Sequence, residues 1–242
     1  MGHCVVKNPA AGGGRWVEVP PQRLVTWVVT FAERHGGAIT GQPLTTGESG
    51  AAVTFTGADG ATAECHPPFP PLPAPVPGAV RAAAEALAAH AAADRTVGVL
   101  LVRLGGYAAG VFSGSPPRLV GSKTGSRPVH GRSAAGGWSQ QRFARRRENQ
   151  AATALRAAAD AAAEVFGRYG PDRLDAVVLG GDKRSAAGLR DAARLEKYLA
   201  KATGRFLTVP DPRLAVLRDI PTAFLATRIR LTEPESISPV TG

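Results

Sequence analysis

Two glycines and two glutamines stand close together near the middle of the chain, in the segment Gly136-Gly137-Trp138-Ser139-Gln140-Gln141. Glycine lets a backbone approach a crowded partner and adopt positive φ values that other residues avoid. A glutamine amide offers one acceptor and two donors without charge, so it orients a water or a substrate hydroxyl without titrating near neutral pH. The segment therefore has the chemistry to position a nucleophile rather than to act as an acid or a base.

Basic residues surround this segment and are not balanced by acidic ones. Between Asp94 and Glu148 the sequence contains no acidic residue. The basic residues of this interval are Arg95, Arg103, Arg118, Lys123, Arg127, Arg132, Arg142, Arg145, Arg146 and Arg147. Such a run fits the phosphate backbone of RNA, and Trp138 offers a face for stacking on an unpaired base. A solvated charged surface is the alternative interpretation.

Composition excludes several other classes of protein. The chain has 242 residues with a formal net charge of +10, which favours a polyanionic partner. Its two cysteines cannot form a disulfide framework, and neither a secretory signal nor an apolar run of about 18 residues is present. We therefore predict a cytoplasmic protein that is not bound to a membrane. The pairs His3-Cys4 and Cys65-His66 fit no standard zinc spacing, so we predict no metal site.

The elements that must position the segment are strands before it and a long helix after it. Residues 97–103 and 107–113 flank Gly105-Gly106 and predict a hairpin with a two-residue turn, and Leu119-Val120 predicts a third short strand. The polar and Gly-rich stretch that follows, with limits at 122–139, predicts an exposed loop. The elements expected downstream are a helix at 140–169, a strand at 174–179, a helix at 184–202 opened by Asp182 as its cap, a strand at 205–209, and a helical turn with a strand within 214–231.

The N-terminal part predicts a separate small unit. Apolar spacing predicts a helix over 22–35, and residues 53–56 and 61–65 predict a hairpin. A helix is also expected over 79–93, after the Pro-rich stretch. The fold class is mixed α/β, and the predicted domains are a small α+β module at 1–66, a Pro-rich linker at 67–78, an α/β catalytic domain at 79–232, and a disordered tail at 233–242.

Residues 136–147 resemble the signature of class-1 release factors of the eukaryotic and archaeal type. In that signature a Gly-Gly-Gln is followed by a Ser, two variable residues and an Arg-Phe-Ala-Arg run that opens a long helix. The similarity covers roughly residues 94–215. Trp138 stands where that family has its catalytic Gln, a departure similar to the Vms-like release factor (VLRF) branch, in which the glycines and the Gln are spaced differently. The resemblance implies a catalytic role for Gln140, with Gln141 as the alternative, and a sheet flanked by helices.

The resemblance also implies partners and a reaction. We expect the chain to act as a monomer without a cofactor, in the peptidyl-transferase centre of stalled ribosomes or large subunits. There it would hydrolyse peptidyl-tRNA independently of the codon, since no stop-codon-reading or GTPase-recruiting domain is recognisable. Two alternatives stay open: an endonuclease that cuts the tRNA, and a ribosome-binding module without catalysis. The residues expected to contact RNA are Trp138, Arg132, Arg142, Arg145, Arg146, Arg147, Lys123 and Arg127.

Overall fold

The computed structural model describes residues 8–10, 13–40, 44–45, 51–73, 75–103, 106–126 and 139–234. Within these ranges, side chains are described except at 8–9, 39–40, 44–45, 51, 139–148 and 190. The chain divides into two compact units: the first unit comprises Met1–Ala93 with Leu225–Gly242, and the second unit comprises Asp94–Phe224. Each unit contains a β-sheet and helices, which confirms the predicted mixed α/β fold class.

The first unit contains a seven-stranded antiparallel sheet and two helices. Its strands lie in the order β1-β2-β12-β6-β5-β3, and β4 pairs with β5. The strands are β1 (Asn8–Pro9), β2 (Arg15–Val19), β3 (Ala38–Thr40), β4 (Leu44–Thr45), β5 (Ala51–Gly57), β6 (Thr62–His66) and β12 (Thr227–Thr232). The helices are α1 (Pro21–Arg34) and α2 (Val80–Ala92).

Helix α1 follows directly from its sequence. Pro21 occupies its first turn, where the missing N–H costs nothing. Leu24, Val28 and Phe31 repeat at helical spacing and are buried in the hydrophobic core of the first unit, which is called the first core below. The helix ends before Gly36, which has a φ of 71° and so adopts a conformation that favours glycine. The predicted helix over 22–35 and the predicted hairpin, formed by β5 and β6, are both confirmed.

The unit boundary differs from the one expected at the Pro-rich stretch. That stretch lies against the first core: Val76 belongs to it, and the carbonyl oxygen of Phe69 is 2.6 Å from His90 Nε2 on α2. Helix α2 buries Leu87 in the same core, and β12 returns near the C-terminal end to pair with β2 and β6. The structure therefore changes unit at residues 93/94 and 224/225. Of the tail expected at 233–242, residues 235–242 lie outside the described residues.

The second unit contains a five-stranded mixed sheet in the order β11-β10-β7-β8-β9. Its three strands β11, β10 and β7 run parallel, whereas β8 is antiparallel to both of its neighbours. The strands are β7 (Val97–Arg103), β8 (Gly106–Ser113), β9 (Arg118–Ser126), β10 (Ala176–Gly181) and β11 (Ala202–Thr208). The helices are α3 (Ser139–Gly167), α4 (Lys183–Ala186), α5 (Glu196–Leu199), α6 (Leu214–Asp219) and α7 (Pro221–Phe224).

Helix α3 packs along one face of this sheet. Its buried alanines, Ala158 and Ala162 among them, let its backbone approach the sheet closely. Phe166, near the C-terminal end of the helix, is buried in the core between the helix and the sheet. A Cβ added to Gly98 on β7 would lie 3.1 Å from Phe166 Cε1, so the glycine leaves room for the ring. On β8, Phe112 contacts Phe224 of α7 edge to face, with ring centroids 5.6 Å apart.

Two predicted elements of this unit are wrong in extent. The third strand is not confined to residues 119–120 but runs over Arg118–Ser126, so residues 122–126 of the predicted loop are strand; residues 127–138 lie outside the described part. The predicted helix over 184–202 is broken into α4, two 3₁₀ turns and α5. A Cβ on Gly188 would lie 2.5 Å from Leu155 Cδ2 of α3. The irregular segment therefore passes very close to α3 at this glycine.

Candidate functional site

The structure places the two predicted catalytic glutamines at the start of helix α3. Gln140 and Gln141 lie in the first turn of α3, which begins at Ser139. Arg142, Arg145, Arg146 and Arg147 follow in the next turns of the same helix. The remaining predicted residues, Gly136, Gly137, Trp138, Arg127 and Arg132, lie outside the described residues.

Strand β9 forms the edge of the sheet on the incoming side of the site. It is hydrogen-bonded to β8 as far as the pairing of Gly106 with Ser126, its last residue. Most of its side chains are small or polar, and none of them is buried. Val120, one of its two large apolar residues, is 49% exposed. This polar edge explains why the sequence predicts a loop where the structure has a strand, because backbone pairing with β8 and not side-chain burial defines the element.

Gly125 fits beneath the ring of Tyr107 just before the strand ends. The two residues are directly opposed on β9 and β8, and a Cβ on Gly125 would lie 2.6 Å from Tyr107 Cζ. Tyr107 also packs against the second core. The glycine therefore allows the aromatic ring to lie over the last described pairing between β8 and β9.

An ion-pair network connects β9 to α3 on the exposed surface. Lys123 Nζ donates to Glu164 Oε2, and Arg168 Nη2 donates to Glu164 Oε1 at 3.1 Å. The hydrogen bond from Lys123 is the largest of the causes that hold the pKa of Glu164 below its ordinary value, and Arg168 adds to it. Lys123, predicted to contact RNA, is thus also a residue that connects the two elements flanking the site.

The basic run is compensated in space more than the sequence indicates. Three of its members lie near carboxylates that come from outside the acid-free interval. The pairs are Arg95 with Asp175, Arg103 with Asp211, and Lys123 with Glu164. The Arg103–Asp211 pair is loose, with 3.9 Å between Nε and Oδ1, and the same guanidinium donates to the carbonyl oxygen of Val209 at 3.0 Å. Part of the positive charge that the sequence indicates is therefore paired on the described surface of this unit.

The turn after β10 is structural. Gly181 has a φ of 114°, and a Cβ there would lie 2.6 Å from the carbonyl carbon of Val102, so only glycine fits. Asp182 accepts hydrogen bonds from the backbone N–H of Arg184 and of Ser185, each at 3.2 Å, and from the hydroxyl of Ser185 at 2.7 Å. The predicted capping role of Asp182 is confirmed, and its carboxylate occupies the donors that an anion would need.

A metal centre and a membrane-spanning helix find no support in the described residues. Within these ranges, no group of three or more His, Cys, Asp or Glu side chains is placed to hold a metal ion. No helix of the described part combines the length and apolarity required to cross a bilayer.

The sequence analysis did not identify Glu164, Gly125 and Tyr107 as supports of the site. The i,i+4 spacing of Glu164 and Arg168 is the sequence signal that could have indicated Glu164.

A model of a known protein family matches more than half of the chain. The family is described as the Actinobacteria/chloroflexi VLRF1 release factor, and the match covers residues 95–230. The matched range includes nearly all of the second unit together with every residue predicted to be catalytic or to bind RNA. No curated protein matches the chain. The predicted resemblance to the bacterial VLRF family is confirmed.

Proposed function

The chain belongs to the Actinobacteria/chloroflexi VLRF1 release-factor family, and on that premise we propose that it frees nascent peptides by hydrolysing peptidyl-tRNA on stalled ribosomes or large subunits. One observation carries the proposal. Gln140 and Gln141 occupy the first turn of a long helix that packs on a sheet; in the sequence they follow a Gly-Gly pair after two intervening residues, and they lie inside the matched range. A long helix packed on a sheet gives the backbone of these two residues a rigid support.

In the proposed reaction, Gln140 orients the attacking water by hydrogen bonds, with Gln141 as the alternative. Gly136 and Gly137 allow the backbone to pass close to the RNA of the peptidyl-transferase centre. Catalysis then comes from orientation and dipolar stabilisation, and the ribosomal RNA supplies the rest of the active site. A glutamine does not titrate near neutral pH, so the chain itself contributes no proton-transfer group to this step.

The positive residues around the junction are proposed to hold RNA. Trp138 stacks on an unpaired base, while the arginines at 127, 132, 142, 145, 146 and 147 contact phosphates. The first turn of α3 contains no acidic residue, and its unpaired N–H groups carry partial positive charge, which adds to the attraction for phosphate. Lys123 connects β9 to α3. We also propose that Lys123 contacts RNA, and binding measurements with ribosomes test this contact.

The biological setting is part of the same proposal. The protein works in the cytoplasm, as a monomer, without a cofactor and without reading a codon. Its target is a ribosome or a large subunit that still holds peptidyl-tRNA after translation has stopped. Hydrolysis there would free the peptide and leave the tRNA intact.

Cleavage of the tRNA is the second candidate, and the cluster of four arginines within the first three turns of α3 favours it. Guanidinium groups stabilise the additional negative charge of a phosphorane formed when a 2′-hydroxyl or a water attacks a phosphodiester. This reaction also frees the peptide, but it leaves a shortened tRNA.

The test is to add the purified chain to stalled ribosomal complexes that carry labelled peptidyl-tRNA. The released peptide and the length of the tRNA are measured on the same sequencing gel. Released peptide with full-length tRNA is the expected result. Shortened tRNA would replace the hydrolase with a nuclease, and tight ribosome binding without release would leave a recognition module and overturn the enzyme proposal.

A further inference from the structure

The first unit encloses a cavity of about 550 Å³, formed by one side of helix α1 and the neighbouring ends of strands β2 and β12. Its apolar floor is made by Val17 of β2 and Leu231 of β12, which lie on adjacent strands of the sheet. Small-molecule sites in proteins have volumes of about 300–1,000 Å³, so the size suits a ligand of one or two rings with a polar group. The residues that form the cavity lie outside the range 95–230 that the release-factor family model matches.

Helix α1 presents two adjacent faces with different roles. The residues at 24, 28 and 31 point into the first core, as expected from their burial. Positions 23, 27, 30 and 34 follow the spacing i, i+4, i+7 and i+11, which puts them on one side of the helix, and all four contribute to the cavity wall. The cavity is thus lined by a regular helix face and not by a loop.

This face of α1 carries aromatic rings suited to a planar ligand. The rings of Trp27 and Phe31 are stacked with an interplanar angle of 3° and a centroid separation of 5.9 Å. Phe31 is buried, whereas Trp27 is only partly buried and borders the cavity. A rigid indole that is backed by a second ring and reaches into an open cavity is a platform for a heteroaromatic base.

The same cavity is rich in arginine. Arg15, Arg23 and Arg34 line it together with one carboxylate, that of Glu233. Arg15 Nη2 lies 3.1 Å from Glu233 Oε1 and is therefore already paired. Among the described residues, Arg23 and Arg34 form no ion pair, and both are exposed. Two guanidinium groups near an aromatic platform supply the donors that a phosphate group requires.

We propose that this cavity binds a nucleoside phosphate, with the base stacked on Trp27 and the phosphate held by Arg23 and Arg34. The shared chemistry has two sources, a free mononucleotide and an unpaired nucleotide of an RNA strand. The proposal is independent of the release activity because it rests on residues of the first unit alone. It gives the first unit a ligand-binding function of its own.

The experiment uses the full chain and isothermal titration calorimetry. The probes are AMP, GMP, CMP and UMP, with the matching nucleosides and inorganic phosphate as half-ligands, and a short single-stranded RNA with and without a 5′-phosphate. The double variant Arg23→Gln/Arg34→Gln removes the phosphate donors, and Trp27→Leu removes the platform. Arg81→Gln is the matched control, because Arg81 is an exposed arginine of the same unit, paired with Glu85 and outside the cavity.

We expect at least one mononucleotide to bind more tightly than either half-ligand. Loss of the two guanidinium groups should weaken binding by about 10-fold or more, and Trp27→Leu by about 5-fold to 100-fold. Trp27→Phe should retain most of the affinity, and Arg81→Gln all of it. If Trp27→Leu lowers the thermal unfolding midpoint, the test uses Trp27→Phe and Arg81→Gln, which should keep the affinity that the arginine double variant loses.

The two sources give different patterns. Tighter binding of the RNA strand than of the mononucleotide, lost in the arginine double variant and kept in Arg81→Gln, assigns the site to RNA. Binding of mononucleotide alone assigns it to a free nucleotide. The proposal is overturned if no nucleotide or RNA binds through these residues, or if inorganic phosphate binds as tightly as the nucleotides, which would leave a simple anion site.

Discussion

Selected basic residues of the two units differ in whether a carboxylate lies beside them. In the second unit, three basic residues of the acid-free run lie near carboxylates from distant parts of the sequence, as Lys123 does with Glu164. In the first unit, Arg23 and Arg34 stand in an ordinary stretch of sequence and yet form no ion pair among the described residues. The difference shows that a charge run in sequence and a free charge in space are separate properties.

The units also differ in how their candidate residues are carried. The cavity of the first unit is lined mainly by a helix face and two strands, with His35 and Glu233 just beyond the ends of these elements. In the second unit the candidate residues Gln140 and Gln141 lie at the start of helix α3, and strand β9 supports this helix. Changes to the support should therefore affect release, while nucleotide binding by the first unit should not change.

The largest effect is expected from Gly181→Ala. The new Cβ would meet the backbone of Val102 on the neighbouring strand, and the φ of 114° disfavours any side chain. We expect a loss of about 2–5 kcal/mol in the free energy of unfolding of the second unit, measured by denaturant titration. Release should fall with it, while nucleotide binding by the first unit stays unchanged under folding conditions.

The control for this change is Gly170→Ala. Gly170 also has a positive φ, of 77°, but a Cβ there would meet nothing within 4 Å. Gly170 has a ψ of 159°, which with a positive φ is essentially restricted to glycine, so only a conformational cost of about 1–3 kcal/mol should remain. Equal losses in the two variants would show that the close approach to Val102 contributes nothing.

An intermediate effect is expected from Gly125→Ala. Tyr107 would have to move because its ring lies where the new Cβ would be, and the cost should be about 1–2 kcal/mol for a side chain that can partly adjust. Peptide release should be reduced, since β9 is one of the strands that support helix α3. The double variant Gly125→Ala/Tyr107→Leu removes the collision, so non-additive recovery of stability is the expected result. Strict additivity would contradict the contact.

The smallest effect is expected from breaking the exposed pair between Lys123 and Glu164. Lys123→Met should lower the thermal unfolding midpoint by less than about 2 °C at neutral pH. The pKa of Glu164 is lowered in the folded state from its ordinary value of 4.5, so the pair stabilises the fold above that value. Its contribution is lost as the pH falls below 4.5, and Lys123→Met and wild type should then converge in thermal stability.

The same pair separates bracing from RNA binding. If Lys123 acts only by connecting β9 to α3, Glu164→Gln and Lys123→Met should reduce ribosome binding equally. If Lys123 also contacts phosphate, Lys123→Met alone should weaken binding and lower its salt dependence. Co-sedimentation with ribosomes at several salt concentrations makes the comparison.

Local patterns predicted most regular elements correctly. The apolar spacing of α1 and the β-branched run of β7 each match their elements because burial of one face follows from local periodicity. The candidate segment was also visible, since glycines, glutamines and arginines carry their chemistry in their types. The family model that matches residues 95–230 supports the resemblance drawn from that segment.

Properties that depend on tertiary contacts were not visible in the sequence. The length of β9 is set by pairing with β8, and the unit boundary by the return of β12 to the first sheet. The region expected to be one helix over 184–202 is irregular because it passes close to Leu155 at Gly188. The cavity beside Trp27 arises only when α1 is laid over β2 and β12.

The most direct test of the central claim is the single-turnover rate of peptide release by Gln140→Ala and Gln141→Ala on stalled complexes. Gln150→Ala is the matched control, since Gln150 lies on the same helix about three turns further on. We predict that Gln140→Ala lowers the rate by about 100-fold to 1,000-fold, with ribosome binding and the thermal midpoint unchanged. Release at the wild-type rate by both Gln140→Ala and Gln141→Ala would contradict the assignment of the reaction to this segment.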